Sequence, residues 1–207
     1  MKKEDIFKVL SFDSFIPYFY PALMFPLGHF RKKAIQMLNF KPGERVLIPG
    51  VGSGHDIPYI PRDVKIVGVD ISDVMLAIGQ VKLKATKREA DVSLSVMDAE
   101  NLEFADESFD KAILSLCLTV VYNPRKVFSE VVRVVKRGGE ILIYDHLLKR
   151  GQVPPAIAKP IDSVMKYSFT SLTRVFEDIV DDDPVSLIRE MPGDPIGYMK
   201  AFLLRKD

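Results

Sequence analysis

Gly50, Gly52 and Gly54 follow directly on the apolar run Val46-Leu47-Ile48, and Asp70 closes the next such run, Lys65 to Val69. Glycines at the end of a strand let the chain turn sharply and let a ligand lie against the backbone with no Cβ between them. Amides at the start of a following helical segment can face the polar parts of a nucleotide. A carboxylate placed like Asp70 can accept both ribose hydroxyls of an adenosine. Strand, glycine turn, helix, strand and acid in this order predict a nucleotide site. A dinucleotide fingerprint needs its third glycine at position 55, which is His55, so a nicotinamide dinucleotide is disfavoured. The remaining alternative is a tight turn that holds no ligand.

His146 is the candidate acid or base, because it follows the fifth apolar run and falls near the expected cleft at the strands' C-terminal ends. Its rival reading is a hydrogen-bonded structural histidine. Asp145, its neighbour in an extended segment, is expected to point the other way. His55 either contacts the ligand or caps the helix start. His29 has no identifiable partner. Three histidines and one cysteine lack ligand spacing, so no metal centre is predicted. Cys117 alone cannot form an intrachain disulfide, which fits a reducing compartment.

The elements that must carry these residues alternate along the chain. Short β-branched runs alternate with amphipathic stretches from Arg45 onward, which predicts an α/β fold with a mostly parallel sheet and helices on both faces. Strands are expected at 46–48, 65–69, 91–96, 111–116 and 140–144. After the second, Ser72 offers an N-cap, and Val74, Ile78, Val81 and Ala85 recur at helical spacing. Asn123 can cap a further helix, with Pro124 in its first turn, Val127, Phe128, Val131 and Val135 on one face, and Gly138-Gly139 as its stop. A proline-rich connection from Gly151 leads into helical sequence to about Val180. The runs 185–190 and 198–204 are close enough to pair as an antiparallel hairpin.

Five blocks in order carry a family resemblance: Val46 to Gly54, Val67 to Ser72, Met97 to Leu102, Asp106 to Asp110, and Val134 to Glu140. Over residues 34–145 the chain resembles class I S-adenosylmethionine-dependent methyltransferases, whose glycines also alternate as at 50, 52 and 54. The likeness extends to bacterial phospholipid N-methyltransferases, ubiquinone/menaquinone-biosynthesis methyltransferases and thiol methyltransferase-like proteins. The resemblance implies a Rossmann-like, doubly wound, seven-stranded sheet ending in the antiparallel hairpin. The chain is expected to divide into an N-terminal helical, aromatic lid (1–40) and a methyltransferase domain (41–207) with a helical insertion at 151–183. The resemblance also implies S-adenosylmethionine as methyl donor and S-adenosylhomocysteine as product. Gly50, Gly52, Ser53 and Gly54 would support the methionine portion, and Asp70 would hold the ribose. Ile71 and Met75 would pack on the adenine, Asp98 would accept from its amino group beside the backbone of Ala99, and Ser115 and Leu116 would line the methyl pocket. For Ile71, Met75 and Leu116 the rival reading is core packing, and for Asp98 a turn residue.

One departure stands inside the first block. Family members usually carry Glu or Asp where this chain has Ile48, and Pro49 follows it. This motivates the alternative of a non-catalytic binding or regulatory module on the same fold. The acceptor is expected to be small and hydrophobic or lipid-like. Phe12, Phe15, Tyr18, Phe19, Tyr20, Phe25 and Phe30 crowd the N-terminal stretch, flanked by Lys2, Lys3, Lys8, Arg31, Lys32 and Lys33. That pattern suits a hydrophobic acceptor or peripheral contact with an anionic membrane, or a lid simply packed on the core. Lys159, Met165, Lys166, Tyr167 and Phe169 repeat it in the insertion. A formal net charge of +1 predicts no nucleic-acid partner. Pro17, Pro21, Pro26 and Gly28 interrupt the longest uncharged stretch, so the chain is expected to be cytoplasmic.

Overall fold

The computed structural model describes residues 28–153, 171, 173–194 and 198–207. The aromatic residues from Phe12 to Phe25 and most of the expected insertion lie outside these. Among the described residues, seven strands form one sheet: β1 (Arg45–Pro49), β2 (Lys65–Asp70), β3 (Val92–Val96), β4 (Phe109–Ser115), β5 (Val135–Asp145), β6 (Val185–Pro192) and β7 (Lys200–Lys206). Their order is β3-β2-β1-β4-β5-β7-β6. β1 to β5 pair in parallel, and β7 runs antiparallel between β5 and β6. This is the doubly wound α/β sheet with an antiparallel C-terminal pair that the sequence predicts.

Both faces of the sheet are covered, which is why the central strands read as continuous apolar runs rather than alternating ones. Helices α1 (Gly28–Ile35) and α2 (Asp73–Thr86) bury Ala34, Ile35, Leu76 and Leu83 against Val46, Ile48, Ile66, Ile113 and Leu142. Helix α3 (Pro124–Val134) and the short α4 (Glu177–Val180) bury Val127, Phe128, Val131 and Ile179 against Leu47, Ala112, Leu114, Ile141 and Phe202. Phe176, just before α4, stacks on Phe202 with ring centroids 4.0 Å apart. The expected caps form: Ser72 Oγ accepts from the Met75 amide at 3.1 Å, and Asn123 Oδ1 from that of Lys126 at 3.1 Å.

Three local expectations are corrected. The face of α2 turned to the sheet is Met75, Leu76, Gly79 and Leu83, while Val74 and Val81 are exposed. Gly79 sets this rotation, because a Cβ there would meet Leu94 at 3.0 Å. Gly138-Gly139 do not stop α3. The helix ends at Val134, and Val135 is already extended and paired with Phe109. Pairing then skips to Lys111 with Glu140, so 136–139 bulge, and a Cβ on Gly139 would sit 2.7 Å from the Asp110 carbonyl oxygen. Finally, a single 3-10 turn, Ile57–Tyr59, follows the glycine turn instead of an α-helix. Pro58 and Pro61 remove the amides that an α-helix would need there.

Candidate active site

The C-terminal ends of the parallel strands bring the predicted residues to one rim: Gly50 after β1, Asp70 ending β2, Asp98 after β3, Ser115 ending β4 and His146 after β5. Strand order reverses between β1 and β4, the place where an open parallel sheet leaves a crevice. Gly50 and Gly52 have φ of 64° and 52°, a region L-residues with a Cβ rarely enter. A Cβ on Gly50 would also lie 2.9 Å from Cys117 Sγ. That thiol is buried, and burial together with the Asp145 and Asp70 carboxylates pushes its pKa far up.

Asp70 joins the glycine turn to the next helix. Its Oδ2 accepts from the Gly52 amide at 2.7 Å and its Oδ1 from the Ser72 amide at 3.0 Å. Ser53 is buried beneath the turn, where Lys82 Nζ donates to its hydroxyl at 2.8 Å and its carbonyl at 3.2 Å. Burial lowers the Lys82 pKa. α2 passes close to the turn at Gly79, where a Cβ would be in ordinary contact with the Gly52 carbonyl oxygen at 3.6 Å. Buried Arg88 pairs with Asp91 and donates to the carbonyls of Ile57, Ile60 and Pro61, filling the role of the missing helix. Sequence reading passed over Gly79, Lys82 and Arg88. A glycine inside an amphipathic helix is a signal of close backbone approach, whereas nothing local marks the two cations.

Arg31 is not a flanking surface charge as expected. It forms a buried ion pair with Asp56 at 2.7 Å and lies over the Tyr144 ring at 5.8 Å, so α1 is fastened to the segment after the glycine turn. His55 sits in the same cluster. Burial, with Lys82 and Arg31 nearby, holds its pKa down from 6.5 to about 4. Ile48, where the resemblance leads one to expect an acid, is fully buried in the apolar layer with Val51 and Ile113.

Beyond Asp70, Ile71 is 54% exposed while Met75 is buried with its methyl toward Gly52. Asp98 makes a turn, its Oδ1 accepting from the Glu100 amide at 2.8 Å, and Ala99 is partly buried. At the end of β4, Leu116 takes a left-handed backbone (φ 53°), a strained conformation of the kind that gathers at functional sites. Ser115 Oγ and His146 Nδ1 are both buried without a hydrogen-bond partner among the described residues. Asp145 does not point away from His146. It is fully buried, accepts from the Thr119 hydroxyl at 2.7 Å, the Thr119 amide at 3.2 Å and the His146 amide at 2.9 Å, and lies 3.2 Å from His146 Nδ1. A polar cleft of about 380 Å³ opens at the opposite, N-terminal ends of the strands. It is removed from all of these residues, and Lys111 and Lys136 there are paired with Glu140 and Asp110.

Residues 47–143 match the model of the methyltransferase domain family. The chain is 32% identical over 164 residues to a phosphatidylethanolamine N-methyltransferase of Cereibacter sphaeroides, covering 75% of this chain and 80% of that protein. It is 24% identical to a demethylmenaquinone methyltransferase of Symbiobacterium thermophilum, over 83% of this chain and 66% of the relative. It spans somewhat less than half the length of two other relatives bearing that name, from Paenarthrobacter aurescens and Renibacterium salmoninarum. In fold it is similar to geranyl diphosphate C-methyltransferase of Streptomyces coelicolor, solved with S-adenosyl-L-homocysteine, at a TM-score of 0.73 and 13% identity over 86% of this chain and 80% of that one.

Proposed function

The chain belongs to the S-adenosylmethionine-dependent methyltransferases, and from that premise we propose that its acceptor is the amine of a lipid of the phosphatidylethanolamine kind. The observation that carries this reading is the 32% identity to an enzyme named for that reaction, sustained over 80% of its length. The residues at the rim fit the donor. The glycine turn leaves no side chain over its backbone, Asp70 is oriented by two amides, and exposed Ile71 beside buried Met75 offers an apolar shelf for an adenine. In this reading Gly50, Gly52, Ser53 and Gly54 carry the methionine portion, Asp70 the ribose, and Ile71, Met75, Asp98 and Ala99 the base. Ser115, with its buried unpartnered hydroxyl, and Leu116 line the transfer position.

S-adenosylmethionine supplies an electrophilic methyl on a sulfonium, already a good leaving group. The protein's task is therefore alignment in a site closed to water, plus removal of the acceptor's proton. An ethanolamine nitrogen must lose a proton to become a nucleophile, and in this reading His146, at the rim after β5, takes it. The acceptor nitrogen's lone pair forms the new C–N bond as the C–S bond breaks, its electrons staying on sulfur. The N–H proton goes to His146 and then to water. Incubating the protein with S-adenosylmethionine and vesicles containing phosphatidylethanolamine should give the monomethylated lipid by mass spectrometry. Transfer to a demethylated quinol with none to the lipid would replace this acceptor with the ring carbon of a quinol, as the name of the 24% relative suggests. S-adenosylhomocysteine binding without transfer to any acceptor would favour the binding-module reading.

A further inference from the structure

Resting on that reading, we infer that Asp145, held by Thr119, is the positioning residue that fixes the imidazole of His146 in the form able to accept a proton. Asp145 is fully buried at the end of β5. No Lys or Arg lies within ion-pair distance of it among the described residues, and the one ionic partner it meets is the imidazole, 3.2 Å from Oδ1. An isolated buried carboxylate is costly, so each of its neighbours must stabilise the charge. Thr119 does so twice, through its hydroxyl at 2.7 Å and its amide at 3.2 Å, and the His146 amide does so at 2.9 Å. Thr119 is itself fully buried, and its carbonyl accepts from the Ser171 amide at 2.9 Å.

The geometry sets the tautomer. His146 Nδ1 is buried, lies 3.2 Å from Asp145 Oδ1 and has no hydrogen-bond partner among the described residues, so this carboxylate oxygen is the acceptor within its reach. The exposed 22% of the side chain lies on the rest of the ring, which includes Nε2. A carboxylate beside Nδ1 favours the proton there, and the lone pair then falls on Nε2, on the accessible side. When Nε2 takes the acceptor's proton, the imidazolium forms against the Asp145 carboxylate and is stabilised by it, while Asp145 keeps its own charge. At 3.2 Å the Nδ1 contact is within hydrogen-bond distance but not aligned as one, as contacts of this kind often are before the ligands close the site. Tyr198 flanks the ring at a centroid distance of 5.8 Å.

The test reads the tautomer directly. Two-bond ¹H–¹⁵N correlation spectra of the ¹⁵N-labelled protein with S-adenosylhomocysteine should show one imidazole, assigned by its loss in His146→Gln, as the Nδ1–H form. Thr119→Val and Asp145→Ala should move it toward the Nε2–H form. Both should lower kcat with phosphatidylethanolamine vesicles, Asp145→Ala by about 100-fold, on the scale of a lost general base. KM and S-adenosylhomocysteine affinity should hold. An Nε2–H form in the wild-type protein overturns the assignment. So does a Thr119→Val variant whose tautomer and kcat are unchanged while His146→Gln is inactive, and this arm stands even if Asp145→Ala fails to fold. Failure of the wild-type protein to methylate the lipid counts against the acceptor alone, because the tautomer is measured without one.

Discussion

Asp70 is a structural brace before it meets any ligand, since its two oxygens hold the amides of Gly52 and Ser72. Replacing it with alanine removes a charged acceptor worth roughly 1.5–3 kcal/mol per hydrogen bond. Asp70→Ala should therefore weaken S-adenosylhomocysteine binding by about 10- to 100-fold in calorimetry and lower Tm as well. Unchanged affinity would remove Asp70 from the donor site. His55 gives a prediction about pH. Its folded pKa, about 4, lies below the unfolded value of 6.5, mainly through burial and then through Lys82 and Arg31. Between those values the unfolded chain binds more protons than the folded one, so stability falls as pH drops from about 6.5 to about 4. His55→Gln should flatten that part of the Tm–pH curve relative to the wild-type protein. Parallel curves would show that His55 is as easily protonated in the fold as out of it.

Among the elements, the segment from Ile57 to Pro61 depends most on a distant residue. Its carbonyls are held by Arg88, whose own charge is met by Asp91. Arg88→Met leaves Asp91 buried and unpaired, and the expected loss is about 3–5 kcal/mol in urea unfolding. Adding Asp91→Leu should recover much of it; no recovery would mean that the carbonyl contacts, not the stranded charge, carry the effect. This is also where the sequence was least legible. Strands and caps rest on neighbours in the chain, so the runs at 46–48 and 65–69 and the caps Ser72 and Asn123 could be read directly. Asp56 for Arg31, Ser53 for Lys82 and the Ile57 carbonyl for Arg88 lie 25 to 31 residues away and leave no local pattern. Gly138-Gly139 looked like a helix stop because a bulge and a stop want the same residue.

For the whole molecule, a lipid acceptor requires one side of the protein to meet a bilayer. The basic residues grouped at 31–33 divide in the fold: Lys32 and Lys33 are exposed, while Arg31 is committed to Asp56. The double change Lys32→Glu and Lys33→Glu should weaken binding to anionic vesicles, by about 1 kcal/mol per basic residue lost, with Tm unaltered. Arg31→Glu should instead lower Tm, because it places two buried carboxylates together. Equal effects of the two on vesicle binding at constant Tm would contradict the split. The reversal of strand order that forms the crevice was legible as a class of fold. The depth of Asp145 was not, since strand alternation says where a side chain points but not which loop will cover it.

The place of β7 has a consequence for how the chain is made. β6 leaves the ribosome before β7, yet β7 is its neighbour in the sheet and also the one that joins it to β5. Until Lys200 to Lys206 have been synthesised, β5 shows an open edge and β6 has nothing to pair with. Leu187 and Ile188, about half exposed even in the finished sheet, are then the groups a chaperone would meet.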